Sequence, residues 1–261
     1  MPVAAGLYYE LHGPDDAPPL ILSPGLGGSA TYWQPNLATL AAQYRVILYD
    51  HRGTGRSDRA LPDTVTVDDF ADDMMTLLDA LSISRAHVVG HAAGGVAALA
   101  MALRAPERVD RIVVVNGWAT ADPHFLRCFE ARLNLLRHVG VEAFLRAQPI
   151  FLYPADWISA HTADLDAELP HQLAAFPGAA TMEKRIAALA AFDATGKLAH
   201  LAERVLVLVA ADDMLVPARA GKALARELGG AARAIMPWGG HACTMTRPAD
   251  FDPLVLDFLR S

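Results

Sequence analysis

The sequence predicts an α/β fold: a mostly parallel, doubly wound sheet, interrupted late in the chain by a helical insertion. Three observations carry this. Short apolar runs alternate with helical stretches up to residue 118 and again from residue 205, the rhythm of a parallel sheet with helices on both faces. Between residues 119 and 196 that rhythm stops, and only helical spacing remains. Finally, Val88-Val89-Gly90-His91-Ala92-Ala93-Gly94-Gly95-Val96-Ala97 runs two β-branched residues into Gly-x-x-x-Gly and then an Ala-rich stretch. This reads as strand, sharp turn and helix, with small residues letting the helix start almost on top of the strand end.

Leu7–His12 reads as a short edge strand broken by Gly13-Pro14, and Leu20–Leu22 as a buried strand ending in a Gly-rich turn. A helix is expected over Thr31–Gln43 and a strand over Arg45–Tyr49. Thr66 with Asp69 three residues on is a variant capping box, opening a helix to about Leu81. Asp68, Asp69, Asp72 and Asp73 fall in its first turns, where the helix dipole favours them. Strand 86–90, the Gly-x-x-x-Gly turn, a helix to Arg104 and strand Ile112–Val115 complete the first part. In the insertion, Phe125, Cys128, Phe129, Leu133 and Leu136 show helical spacing, punctuated by Tyr153-Pro154 and Phe176-Pro177-Gly178. Strand 205–209, a helix near Arg219–Leu228, strand Arg233–Met236 and a last helix to about Leu259 follow. The expected division is a core of residues 1–118 and 197–261 with a helical cap of 119–196. Ligands of such sheets sit at the carboxyl ends of the strands.

With 261 residues, 53% of them hydrophobic, the chain can bury a large core. A net charge of −7 without a basic block argues against nucleic acid and anionic membrane as main partners. No apolar run reaches the roughly 18 residues of a membrane span. Met1–Glu10 lacks the basic and apolar regions of a signal peptide, and two cysteines, Cys128 and Cys243, suit a reduced compartment; a cytoplasmic location is expected. No Cys/His cluster has metal-ligand spacing, so neither a metal nor a cofactor is expected. Oligomeric state stays open, a homodimer included.

Four segments carry possible chemistry beyond the Gly-x-x-x-Gly turn. Ser23-Pro24-Gly25-Leu26-Gly27-Gly28-Ser29 follows a strand, and taken alone it is a glycine turn. Gly25-x-Gly27-x-x-Ala30 with Asp50 closing the next strand also mimics a dinucleotide fingerprint, which leaves the other segments unexplained. Asp50-x-Arg52-Gly53-x-Gly55-x-Ser57-Asp58 has the look of a loop brace and is given no catalytic role. Ala211-Asp212-Asp213-Met214-Leu215-Val216-Pro217 offers two turn-forming aspartates, and Trp238-Gly239-Gly240-His241-Ala242 a late histidine after a strand. His51 and His91 read as satisfied core histidines, and Cys243 as a packed thiol.

Taken in order, these segments resemble the α/β-hydrolase family over nearly the whole chain. The resemblance implies that the turn at 90–94 is the nucleophile elbow Gly-x-Ser-x-Gly, with Ala92 in the nucleophile slot. It implies an oxyanion hole from the backbone N–H groups of Leu26 and Ala93, with Ser23 where the family usually has His. Asp213, four residues before Pro217, then becomes the acid and His241 the base, with Asp212 as the alternative acid; the order Ala92, Asp213, His241 matches the fold's Ser, Asp, His. Further stretches narrow the match: Val115-Asn116-Gly117-Trp118, Arg127-Cys128-Phe129, Ala147–Trp157 and Gly239–Cys243 are similar to the RutD-type hydrolases of bacterial uracil catabolism. That family is assigned to hydrolysis of carbamate or of aminoacrylate, with Ala native at the elbow.

Chemistry without an acyl-enzyme is then required, since losing the serine of a serine hydrolase costs about a millionfold in turnover. Carbamate and aminoacrylate are labile and need proton transfer and oxyanion stabilisation instead. Three other readings remain: a scaffold that kept the fold and lost the chemistry, an esterase with an engineered Ser→Ala at Ala92, and a dinucleotide-binding protein. Retention of both Asp213 and His241 favours the enzyme.

Overall fold

The computed structural model describes residues 2–261 and gathers eight strands into one sheet. Met1, the first residue of the expected core, lies outside the described residues. The strands are β1 (Val3–Ala4), β2 (Leu7–His12), β3 (Pro19–Ser23), β4 (Arg45–Tyr49), β5 (Ala86–His91), β6 (Val109–Val115), β7 (Val205–Ala210) and β8 (Ala232–Met236). Their spatial order is β1-β2-β4-β3-β5-β6-β7-β8; β2 pairs antiparallel with both β1 and β4, and the other pairings are parallel. Leu7–His12 is therefore not the edge: Ala5 and Gly6, both at positive φ, turn the chain so that Val3–Ala4 pairs outside it.

Successive strand residues point to opposite faces, and both faces are apolar here, as in a doubly wound sheet. Ile21, Ile47, Val88, Val114 and Val207 face α2 (Val67–Ala80), α3 (Ala93–Arg104) and α9 (Ala218–Glu227). Leu20, Leu22, Leu48, Val89, Val113 and Leu208 face α1 (Gln34–Ala41) and α11 (Pro248–Arg260). The expected helix over 31–43 is shorter, a 3₁₀ turn at Ala30–Trp33 followed by α1. At α2 the capping box is present, the Thr66 N–H donating to Asp69 at 2.7 Å. Asp73 turns inward instead of serving the dipole alone, and pairs with Arg52 at 2.9 Å.

Between β6 and β7 lie α4 (Pro123–His138), α5 (Val141–Leu152), α6 (Ala155–Ala160), α7 (Thr162–Ala175) and α8 (Ala179–Ala191). A bridge between Thr120 and Asp193, with the Ala194 N–H on the Ala119 carbonyl at 2.9 Å, ties the entry of this segment to its exit. No helix among the described residues is long and apolar enough to cross a membrane.

The topology fixes where a ligand can sit. From β3 the chain moves to β4 on one side, then to β5 on the other, so the carboxyl ends of β3 and β5 border a crevice. Both ends are glycine-rich because α3 presses onto them. A Cβ on Gly90 would collide with the Gly94 backbone, and one on Gly94 with the Ser23 carbonyl. Gly94→Ala is expected to destabilise the protein by about 1–3 kcal/mol, since the obstacle is backbone. A Cβ on Gly27 meets nothing within 4 Å, so Gly27→Ala is expected to stay within about 0.5 kcal/mol of wild type. Urea denaturation of the two variants checks this.

Candidate active site

The elbow is built by backbone. Ala92 sits at φ 45° and ψ −103°, between the end of β5 and the first turn of α3. Its N–H donates to the Val115 carbonyl at 2.8 Å, and its carbonyl accepts from Val96 at 3.0 Å. Both of its backbone groups are thus spent. The next N–H, Ala93, heads α3 and donates no hydrogen bond among the described residues; neither does the Leu26 N–H. The two loops touch, Gly94 against Ser23 and Gly25 against the His91 ring. Two N–H groups without partners among the described residues therefore stand on the two loops that meet at the crevice.

His241 follows β8. Its Nδ1–H donates to Asp213 Oδ2 at 2.7 Å, both side chains being buried. Asp213 Oδ1 accepts from the Leu215 and Val216 N–H groups, each at 2.8 Å, so the carboxylate is fixed before it meets the ring. With Nδ1 committed, the free nitrogen is Nε2, which carries the lone pair of the neutral ring. Asp212, the alternative acid, accepts instead from the Gly239 and Gly240 N–H groups at 3.2 and 2.9 Å and holds the histidine's loop.

The His241 carbonyl is gripped from two sides, by His91 Nε2–H at 2.9 Å and Asn116 Nδ2 at 2.8 Å. A carbonyl only accepts, so His91 carries its proton on Nε2 and its Nδ1 is a lone pair, buried with no partner among the described residues. Burial first, and the neighbouring His241 second, hold His91 well below the usual imidazole range. Tyr32 stacks on it with centroids 4.6 Å apart. Cys243 is buried, and burial pushes its thiol up to about 12, so it is inert at neutral pH.

On the opposite side, Arg185 of α8 reaches into the core. Nε and Nη2 donate to the Leu26 carbonyl at 3.2 and 3.0 Å, Nη1 to the Arg52 carbonyl at 3.3 Å, and Nη2 to His51 Nδ1 at 2.8 Å. A guanidinium has no acceptor, so His51 Nδ1 is unprotonated and Nε2–H faces Ser23 Oγ at 3.3 Å. Burial, reinforced by Arg185, holds His51 well below its ordinary range. The segment after β4 braces the same loop: Asp50 accepts from the Ala30 N–H at 2.8 Å, and Thr54 Oγ1 donates to the Gly28 carbonyl at 3.1 Å. A cleft of about 540 Å³ between α2, α3 and α8 shares no residue with this cluster; chemistry, not size, marks the site.

Known proteins match this chain in sequence and in fold. Residues 18–248 fit the model of the alpha/beta hydrolase fold family. A protein of Caulobacter sp. (strain K31), assigned the name carbamate hydrolase RutD, is 52% identical over 97% of this chain and 96% of its own. One of the same assigned name from Rhizobium rhizogenes is 44% identical over 98% of each chain. A crystal structure of a hydrolase from Pseudomonas aeruginosa PA01 superposes with a TM-score of 0.87 at 28% identity, covering 98% of this chain and 94% of that one. The chain belongs to the RutD family of α/β-hydrolases.

Within this RutD-family chain, motif reading singled out Ala92, Ala93, Leu26, Asp213 and His241 as candidates and passed over Asn116 and Arg185, which hydrogen-bond the His241 and Leu26 carbonyls. Asn116 closes β6 at φ 49°, a conformation Asn tolerates better than most residues. Arg185 had a signal too: it shares a helical stripe with Met182, Ile186 and Leu189, all buried.

The two neutral histidines make stability pH-dependent. Their folded-state values lie below the ~6.5 of an unfolded chain, so the unfolded state takes up protons first on acidification. Stability is expected to fall below about pH 6.5, by up to about 1.4 kcal/mol per pH unit for each ring. Urea unfolding between pH 7.5 and 5, with His51→Asn and His91→Asn, checks this; each variant should flatten the slope.

Proposed function

We propose that the protein breaks carbamate down to ammonia and carbon dioxide in the cytoplasmic catabolism of pyrimidine nitrogen, without a serine nucleophile. The observation that carries this is the elbow. Ala92 offers no hydroxyl, while Asp213 and His241 remain hydrogen-bonded at 2.7 Å and the Leu26 and Ala93 N–H groups are free. The names of the RutD relatives support the substrate. The two cysteines, both free and buried, suit a reducing compartment.

In this reading, residues 1–118 and 197–261 form the core and residues 119–196 a cap over the crevice. Carbamate lies beside the Ala92 methyl with a carboxylate oxygen on the Leu26 and Ala93 N–H groups. The protonated His241 ring, steadied by Asp213, gives its Nε2 proton to the carbamate nitrogen. The C–N bond then breaks, its electron pair leaving on ammonia as carbon dioxide departs, and His241 regains a proton from solvent. Such proton transfer is worth roughly 10²–10⁴-fold in rate. The same groups suit aminoacrylate, whose imine tautomer water attacks.

Ammonia release from freshly made carbamate and from enzymatically generated aminoacrylate, with and without protein, tests the reading. A rate no faster than the spontaneous one on both makes the chain a scaffold. His241→Ala is expected to remove most of the rate gain, about 10²–10⁴-fold, with the protein folded. Ala92→Ser is expected to lower turnover of the native substrate, since the new Oγ takes its space and competes for His241. It should also bring slow cleavage of p-nitrophenyl acetate, with nucleophile, base and oxyanion donors again aligned. Unchanged native turnover in that variant rules out this account of Ala92.

A further inference from the structure

Two arginines are buried in this protein, Arg132 of α4 and Arg185 of α8, and neither has a carboxylate partner among the described residues. Burying an unpaired cation costs several kcal/mol unless its donors are satisfied. Arg185 meets that requirement with two carbonyls and a histidine nitrogen, through Nε, Nη1 and Nη2. Arg132 does not. Its single hydrogen bond runs from Nη2 to Gln148 Oε1 at 3.2 Å, and Nε is buried with no partner. Phe129, Phe144 and Phe151 surround it, with ring centroids 4.9 to 5.6 Å from the guanidinium carbon. Aromatic faces favour a cation but take up none of its in-plane N–H groups.

The helices that carry this guanidinium and its glutamine partner reach the loops bordering the crevice. One turn back on α4, Cys128 Sγ lies 3.8 Å from the Met214 carbonyl, in the loop that carries Asp213. Leu152, one turn beyond Gln148 on α5, accepts the Ala242 N–H at 2.9 Å, next to His241. Arg132 and Gln148 thus stand on the two helices that touch the acid's loop and the base's loop.

We propose that Arg132 and Gln148 form a carboxylate-binding subsite that selects anionic substrates. The Nε and Nη donors suit the carboxylate oxygen that the Leu26 and Ala93 N–H groups leave over, and the Gln148 amide N–H groups add to them. Desolvation among the phenyl rings strengthens the pairing. The subsite takes its substrate, carbamate or another small carboxylate, from the function proposed above. Its anion chemistry stands on Arg132 itself.

Thermal unfolding with acetate, against equal concentrations of sodium chloride and of uncharged acetamide, tests the subsite without turnover. Saturating acetate is expected to raise the wild-type Tm by about 2–4 °C, and acetamide to leave it unchanged. Arg132→Met is expected to lose the acetate effect while its own Tm holds or rises, because an unpaired buried charge is replaced by apolar volume. Gln148→Glu supplies an internal carboxylate to the guanidinium; it is expected to raise Tm and abolish the acetate effect, and it carries the test should Arg132→Met fail to fold. In turnover, Arg132→Met should raise KM about 10- to 100-fold with little change in kcat. No acetate effect on wild type, or one that survives in both variants, overturns the subsite. Absent carbamate turnover with an Arg132-dependent acetate effect overturns the substrate assignment and leaves the subsite standing; turnover without that effect does the reverse.

Discussion

At φ 45° and ψ −103°, Ala92 holds a conformation that an L-residue keeps only when its neighbours impose it. Here the imposition is the contact of α3 with the ends of β3 and β5, which leaves no room for a side chain at Gly90 or Gly94. Strain of this kind costs of order 1–3 kcal/mol. Its usual product is an exposed nucleophile, and here the slot ends in a methyl group. The same turn also decides which backbone groups are left over. Because Ala92 spends its own N–H on Val115 and its carbonyl on Val96, Ala93 is the first residue with an uncommitted donor. Its N–H sits at the positive end of the α3 dipole. The elbow therefore leaves an uncommitted N–H at Ala93 whether or not a hydroxyl stands in front of it.

The histidine is positioned by a second backbone device. Asp212 takes the N–H groups of Gly239 and Gly240, Asn116 and His91 grip the His241 carbonyl, and Ala242 donates to Leu152 of the inserted helices. With the loop fixed over four consecutive residues, Asp213 has only to orient the ring. A clamp on the main chain leaves the imidazole free to turn proton chemistry without moving its support. Gly240 is required here in particular, since a side chain at its φ of 68° would run into the Leu152 carbonyl.

Strand positions and the helical insertion were legible because each has a local signature, alternation or helical spacing; the five candidate site residues were named from glycine-punctuated turns after strands together with the family resemblance. The sequence also left Asp212 and Asp213 as rivals, and only the third dimension separates them, one facing backbone and the other the imidazole. Val3–Ala4 escaped because two residues carry no period. The insertion shows a subtler limit. Its α4 stripe runs through Leu133 as expected, partly buried against the core, but the face also takes in Arg132, which is buried. Residue type alone argues against a cation on that face. Arg185 was hidden for the same reason. Charged residues are almost never read as core, so the two that matter most to the electrostatics of the crevice are the two a hydrophobicity pattern discards.

Those two cations also tie the inserted helices to the chemistry. The chain carries a net charge of −7, and its buried carboxylates Asp50 and Asp73 are paired with Arg56 and Arg52. Arg132 and Arg185 are not so neutralised; burial brings each down to about 10, which still leaves both charged at neutral pH. Charges buried in this way are the least screened by water and salt. Arg185 does more than supply charge. By holding the Leu26 carbonyl with two N–H groups, it makes the position of α8 and the shape of the loop after β3 one variable. A shift of α8 away from the sheet would withdraw that support from the loop whose N–H faces the crevice. The inserted helices are then coupled to that loop rather than merely laid over it.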